Sequence, residues 1–162
     1  MLDSIFHGIL VYKSASKEEK RIQEGKIKNN NLPADIKQEV EKLKQAATNG
    51  NTAAMYKLGR MYLDGDKIGY SPADALKYLQ MGLSKNDFNC CYTMAFFYRA
   101  EKSYQHLDAC KCYQCYLAAK KCQTDDPELM NDVLDALAND FIIKELDNGE
   151  LFFDFKCKIP II

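Results

Sequence analysis

The sequence contains no tryptophan, only two histidines and four prolines, and no long unbroken run of apolar residues. A helix that crosses a bilayer needs roughly 18 or more consecutive apolar residues, so no membrane span is predicted. A composition of 47% apolar and 28% charged residues also disfavours collagen-like, purely coiled-coil and wholly disordered chains. The length of 162 residues suits one domain of ordinary size.

Motifs of enzymes are missing as well. The chain has no glycine-rich phosphate loop, no GxSxG elbow and no HExxH pair. His106 lies in a predicted loop between helices, where a solvated side chain is favoured over a base that activates a cysteine. We therefore predict a non-enzymatic protein with no catalytic residues, no metal and no cofactor.

The net charge of −1 conceals an uneven distribution along the chain. Residues 124–162 carry ten acidic against three basic residues, and the preceding part of the chain has a net charge of +6. This pattern argues against a nucleic-acid binder with one continuous basic face. The acidic end is interpreted as a solubilising surface or, as the alternative, as a docking face for a basic partner.

The N-terminal residues do not have the order of a secretory signal, because Asp3 precedes the apolar run and the positive charges follow it. We therefore expect a cytoplasmic protein whose seven cysteines are reduced thiols. Cys112 and Cys115 match half of a zinc pattern, but the segment around them is predicted as continuous helix and offers no second half. The favoured interpretation is that the cysteines are small apolar residues of a helical core.

An internal repeat is the strongest organising feature. Residues 49–62 align with residues 85–98 at a shift of 36, and residues 74–83 align with residues 108–117 at a shift of 34. A period of this size is typical of a two-helix solenoid unit. Three of the cysteines, Cys110, Cys112 and Cys115, take the places of Leu76, Tyr78 and Met81, which favours burial over metal binding.

Each half of the unit is predicted to be a helix. Apolar or small residues recur at a spacing of three and four in AAMYKLGRMYLDG, and Gly59 in its middle predicts that a neighbouring helix comes too close for a side chain. A second helix should run from Pro72 to about Ser84, and the next pair should span about 89–99 and 107–122.

The segment GNTAAMYKLGRMYLDGDKIGYSPADALKYLQMGL resembles a Sel1-like repeat, a relative of the tetratricopeptide repeat. The residues that carry the resemblance or repeat it in the second unit are Ala54, Leu58, Gly59, Tyr62, Gly65, Asp74, Ala75, Tyr78, Ala95, Tyr98 and Ala109. The resemblance implies an all-α fold, a short right-handed α-solenoid of antiparallel helix pairs. It covers about residues 36–122 and is weaker in the second unit, where Gly65 has no counterpart.

We divide the chain accordingly into an N-terminal capping segment (1–32), a repeat array (33–122) and an acidic C-terminal cap (123–162). The array comprises a partial repeat (33–50), a full repeat (51–86) and a degenerate repeat (87–122). In the cap, a helix is predicted from Pro127 to about Leu146, followed by an extended tail. The alternative is a β-hairpin turned at Asp147, Asn148 and Gly149. We favour helix and tail over the hairpin.

Proteins with Sel1-like repeats generally act as adaptors, and the resemblance therefore implies that this chain binds another protein. We expect a small bacterial immunity or antitoxin-type protein that neutralises a cognate effector, such as a basic toxin. An adaptor in signalling or complex assembly is the alternative. Neither nucleic acid nor membrane is expected as a partner, and the sequence leaves the oligomeric state open.

The candidate contact surface is a ladder of side chains on the first helix of each repeat that point away from the repeat core. Aromatic residues and arginine are common anchors of protein interfaces. The predicted contact residues are Tyr56, Lys57, Arg60, Tyr92, Thr93 and Phe96. A role of the tyrosines in packing is the alternative.

Overall fold

The computed structural model describes residues 2–99 and 108–156, with side chains from residue 16 onward. Within these ranges the chain forms seven helices followed by one β-hairpin. The helices are α1 (Leu2–Asn30), α2 (Ala34–Thr48), α3 (Thr52–Asp64), α4 (Pro72–Leu83), α5 (Phe88–Tyr98), α6 (Ala109–Lys121) and α7 (Pro127–Asn139), and the strands are β1 (Phe141–Glu145) and β2 (Leu151–Phe155). The expectation of an all-α fold with a small C-terminal hairpin as one option is confirmed. The loop predicted between α5 and α6, at 101–106, lies outside the described residues.

Short polar side chains set the starts of the helices. Asn51, Asp87 and Asp126 accept hydrogen bonds from backbone N–H groups in the first turns of α3, α5 and α7. Ser71 and Asp108 do the same for α4 and α6. Such caps satisfy donors that have no partner within the helix, and they explain why the predicted helix starts lie within two residues of the observed ones.

Each helix from α2 to α6 packs against the next helix along the chain, and α3 also packs against α5. This order of contacts agrees with a stack of helix pairs that share one continuous core. The predicted right-handed twist of the stack stays a prediction. None of the helices described is long and apolar enough to cross a bilayer.

The residues that define the repeat largely form this core. Seven of these residues are buried, namely Ala54, Leu58, Gly59, Tyr62, Ala75, Tyr78 and Ala95. Three are half-buried, namely Gly65, Tyr98 and Ala109. A Cβ atom at Gly59 would lie 2.6 Å from Cγ of Leu79 in α4. The predicted close approach of a neighbouring helix at Gly59 is therefore confirmed.

The cysteines also follow the prediction of a packed core. Cys90, Cys91, Cys112, Cys115 and Cys122 are buried thiols. Cys110 is half-buried, although it takes the place of an apolar residue in the first repeat. Burial raises the pKa of the Cys112 and Cys115 thiols to about 12.

The favoured prediction for the C-terminal cap, a helix down to Leu146 with an extended tail, is wrong. Helix α7 ends at Asn139, and β1 and β2 pair antiparallel with Phe141 opposite Phe155. Gly149 turns the hairpin with a φ of +81°. Phe153 and Phe155 lie on one face of β2 because alternate side chains of a strand share a face, and Phe141, opposite Phe155, lies on the same face of the hairpin. The ring centres of Phe141 and Phe153 lie 5.1 and 5.5 Å from that of Tyr113 in α6. Contact with α6 thus favours the hairpin over continued helix.

The second half of α1, residues 16–30, lies against the loop that joins α3 and α4. Asn29 and Gly69 exchange two hydrogen bonds of 2.7 and 3.3 Å. The hydroxyl of Tyr70 donates to the buried carboxylate of Glu18. A Cβ atom at Gly25 would lie 2.8 Å from the backbone nitrogen of Tyr70, so helix and loop touch through their backbones. This contact fastens α1 to the first full repeat.

Candidate functional site

Three helices, α3, α5 and α7, form a row on one side of the stack. Helices α3 and α5 pack directly on each other. Helices α5 and α7 are joined by a hydrogen bond of 3.2 Å from the hydroxyl of Tyr92 to Oδ2 of Asp132. The predicted contact residues all lie on α3 and α5, and the structure adds α7 to the same row.

The predicted residues on α3 are already engaged with neighbouring groups. Lys57 is exposed, and its Nζ lies 2.8 Å from Oε1 of Glu39 in α2. This hydrogen bond and the charge of Lys57 lower the pKa of the Glu39 carboxyl. Arg60 pairs with Asp64 of its own helix at 3.5 Å. Tyr56 is half-buried and packs against the core, so α3 presents a positive surface whose charges are partly compensated.

The predicted residues on α5 divide into core and surface. Thr93 has only 9% of its surface exposed and belongs to the interior. Tyr92 is half-buried, with its ring centre 5.8 Å from that of Phe88 and 4.8 Å from that of Phe96. Phe96 is half-buried as well. Helix α5 therefore offers an aromatic surface made by Tyr92 and Phe96, without Thr93.

A cavity of about 310 Å³ lies between α5 and α7 beside this aromatic surface. We name it the α5–α7 groove. Its lining consists of Phe96, Arg99, Tyr116, Asp132, Asp135, Ala136, Asn139 and Asp140. The groove thus combines two aromatic rings, one guanidinium group and three carboxylates.

Among the lining residues that the structure describes, Arg99 is the one cation, and neighbouring side chains fix its position. Nη2 of Arg99 lies 2.9 Å from Oδ2 of Asp140, and Nη1 donates to the hydroxyl of Tyr116 at 3.4 Å. Burial disfavours the charge of Arg99, but the bond to Tyr116 and the charge of Asp140 outweigh it, so the pKa of Arg99 is raised. Burial raises the pKa of Tyr116 to about 12, and its hydroxyl stays protonated at neutral pH.

Because Arg99 compensates Asp140, the remaining carboxylates of the groove are those of Asp132 and Asp135, both exposed on α7. Together with Phe96 they make a surface that favours a cationic side chain. An arginine or lysine can lay its stem on an aromatic ring and present its charge to a carboxylate. Charge complementarity of this kind steers association and selects the partner.

Sequence reasoning missed the contribution of α7 and of Arg99 and Tyr116. Asp126 and Pro127 mark the start of α7, and this cap signals a further helix after α6 but not where that helix packs. The sequence pattern assigns residues 123–162 to a separate cap and favours a solubilising surface as the role of their acids. In the structure, α7 follows α3 and α5 in the same row of helices.

Among the residues with described side chains, no group of three His, Cys, Asp or Glu residues is arranged to hold a metal ion. A second cavity, of about 210 Å³, lies where α1 meets the loop between α3 and α4. The Arg21 guanidinium there lies 4.0 Å from the ring centre of Tyr70, and Lys28 donates to the carbonyl of Gly65 at 2.9 Å. The cations of this second cavity therefore contribute to holding α1.

We therefore take the α5–α7 groove as the candidate site, because it combines aromatic rings with carboxylates that have no cationic partner among its lining residues. A comparison of the chain with models of known protein families, with curated proteins and with solved structures finds no match.

Proposed function

We propose that this chain is a non-enzymatic protein-binding module that holds a basic segment of another protein in the α5–α7 groove. The observation that carries the proposal is the position of the Phe96 ring in one cavity with the carboxylates of Asp132 and Asp135. The groove lies on the same side of the stack as the candidate ladder inferred from the repeat.

The charges along the row of α3, α5 and α7 favour one orientation of the bound segment. The α3 end presents Lys57 and Arg60, and the α7 end presents Asp132 and Asp135. A partner whose basic residues lie over α7 avoids repulsion from α3. Opposite charges across a surface raise the association rate and reject partners of the wrong sign.

The biological role that we propose is that of a bacterial immunity or antitoxin-type protein, which neutralises a basic effector in the cytoplasm by covering its surface. An adaptor in signalling or complex assembly is the second candidate. The row offers two different surfaces, the paired charges on α3 and the acidic side chains on α7, and this favours the adaptor, since an adaptor must hold two partners at once.

The test compares three immobilised baits in an extract of the native host: the wild-type chain, the groove variant Asp132→Asn with Asp135→Asn, and a control variant. The control is Glu145→Gln with Asp147→Asn, which removes the same charge from exposed residues of the hairpin. We expect a protein that is captured by the wild-type and control baits, with an affinity about tenfold or more weaker for the groove variant. Circular dichroism should show that all three baits are folded.

Equal capture of the same proteins by all three baits would contradict the groove as the binding site. Binding should also weaken as salt is raised, because screening acts on exposed charges.

Co-expression separates the two roles. Relief of the growth arrest caused by the captured protein supports immunity, whereas a ternary complex with a second captured protein supports an adaptor.

A further inference from the structure

Two buried thiols face each other where α5 meets the end of α6. Sγ of Cys91 lies 3.9 Å from Sγ of Cys122. Cys91 has 0% and Cys122 has 7% of its surface exposed. No disulfide exists among the six cysteines that the structure describes. The two sulfur atoms are therefore in contact without a covalent bond between them.

The backbone around Cys122 allows the sulfur atoms to come closer. Cys122 directly follows the last residue of α6, with an extended conformation of φ −82° and ψ 155°. Rotation about its Cα–Cβ bond changes the direction of the thiol and leaves the backbone hydrogen bonds intact. Cys91, in contrast, is held within α5. Two thiols in contact, one within a helix and one just beyond a helix end, are a suitable starting geometry for a disulfide bond.

The thiols of Cys112 and Cys122 also donate hydrogen bonds to backbone carbonyls. Sγ of Cys112 donates to the carbonyl of Ala95 at 3.2 Å, which directs this thiol to the backbone of α5. Sγ of Cys122 also donates to the carbonyl of Ala118, one turn earlier in its own helix. This second bond is local and can be given up when Cys122 rotates towards Cys91.

We propose that Cys91 and Cys122 are a latent disulfide, which forms on exposure to a small-molecule disulfide such as oxidised glutathione. The thiol of Cys122 loses its proton and attacks one sulfur of the small disulfide, which releases one small thiol and leaves a mixed disulfide on Cys122. The thiol of Cys91 loses its proton and attacks the Cys122 sulfur, which releases the second small thiol. Two protein thiols are oxidised, and the small disulfide is reduced to two thiols that take up the two protons.

The order of the two steps follows from burial. Cys122 is the thiol with some exposure and meets the reagent first, whereas Cys91 reacts within the protein. Burial, with a further contribution from Cys122, raises the pKa of the Cys91 thiol. The second step is therefore slow, and the protein stays reduced unless the oxidant persists.

The cross-link would tie α5 to the end of α6. Cys91 is the neighbour of Tyr92, whose hydroxyl binds Asp132 of α7. A covalent link at this point restricts the motion of α5 relative to α6 and closes a loop over residues 91–122. Because a cross-link reduces the conformational freedom of the unfolded chain, the oxidised protein should be more stable.

The experiment uses the full chain carrying Cys157→Ser, because Cys157 lies outside the described residues and offers a competing thiol. The chain is incubated with oxidised glutathione and digested without reduction. We expect a peptide pair joined through Cys91 and Cys122, a mass of that pair two hydrogen atoms below the sum of the two free peptides, and a thermal midpoint raised by roughly 5 °C or more. Dithiothreitol should reverse all three changes.

Cys91→Ser and Cys122→Ser should each abolish the cross-link, and Cys110→Ser should leave it intact. The proposal is overturned if Cys91 and Cys122 are recovered as free thiols under conditions that modify Cys110, or if the cross-link joins other cysteines. The peptide map of the chain with all six described cysteines decides this even if a serine variant does not fold.

Discussion

Nη2 of Arg99 lies 2.9 Å from Oδ2 of Asp140, and this ion pair joins the residue that follows α5 to the residue that follows α7. The two residues lie 41 positions apart in the sequence. Their contact closes one end of the α5–α7 groove and leaves Asp132 and Asp135 as its remaining carboxylates. The ion pair therefore shapes both the stack and its candidate binding surface.

Arg99→Ala should lower the free energy of unfolding by about 1–3 kcal/mol, because it leaves Asp140 and the buried hydroxyl of Tyr116 without their partner. Urea denaturation followed by circular dichroism measures the change. The matched control is Arg60→Ala, whose pair with Asp64 lies on the surface of one helix, and we expect about 0.5 kcal/mol or less. Equal losses in both variants would contradict a special role of Arg99.

Gly59→Ala should destabilise the protein by about 1–3 kcal/mol, although alanine is the better helix former by about 1 kcal/mol. The reason is that the new methyl group would lie 2.6 Å from Cγ of Leu79. The size of this overlap is tested by a double-mutant cycle with Leu79→Ala, which makes room for the methyl group. We expect the two changes together to cost less than the sum of the single changes; strict additivity would contradict the close approach.

Thiol reactivity should follow burial in the folded chain that carries Cys157→Ser. Cys110 is half-buried and should react first with a disulfide reagent at pH 8. Cys112 and Cys115 should react more slowly by a factor of ten or more, because burial raises their pKa to about 12 and little thiolate is present. All six thiols should react in denaturant. Fast labelling of several cysteines in the native protein would argue against the packed core.

Phe141→Ala should cost about 3 kcal/mol or more, since Phe141 has only 5% of its surface exposed and packs against Tyr113 and Tyr116. Phe152→Ala is the matched control, because Phe152 is 44% exposed, and we expect a loss below about 1 kcal/mol. Urea denaturation gives both values. A small loss for Phe141→Ala would mean that the hairpin contributes little to the folded stack.

The helices of the repeat region could be predicted because their signals are local. Ser71 and Pro72 mark the start of α4, and Asp126 and Pro127 mark that of α7, each within a few residues of chain. The burial of Cys90, Cys112 and Cys115 followed from their alignment with apolar or small residues of the first repeat. These predictions needed only periodicity and capping, which act over one or two helical turns.

The C-terminal cap could not be assigned in the same way. The segment from Phe141 to Phe155 fits a helix with a tail or a hairpin by its own pattern, and Gly149 permits the turn without requiring it. The rings of Tyr113 and Tyr116 on α6 favour the hairpin, because they pack against Phe141. Contacts from another part of the chain decided between two locally acceptable structures.

The sequence by itself thus determined the helical composition, the two-helix period and the apolar positions of the core, since these depend on interactions between residues close in the chain. Only the tertiary structure decided that α7 lies beside α5, that Arg99 compensates Asp140, and that Phe96 shares a cavity with Asp132 and Asp135. The sequence pattern contains no local signal for pairs about 40 residues apart. Their positions follow from the packing of whole helices, and the candidate site exists because that packing brings α5 and α7 together.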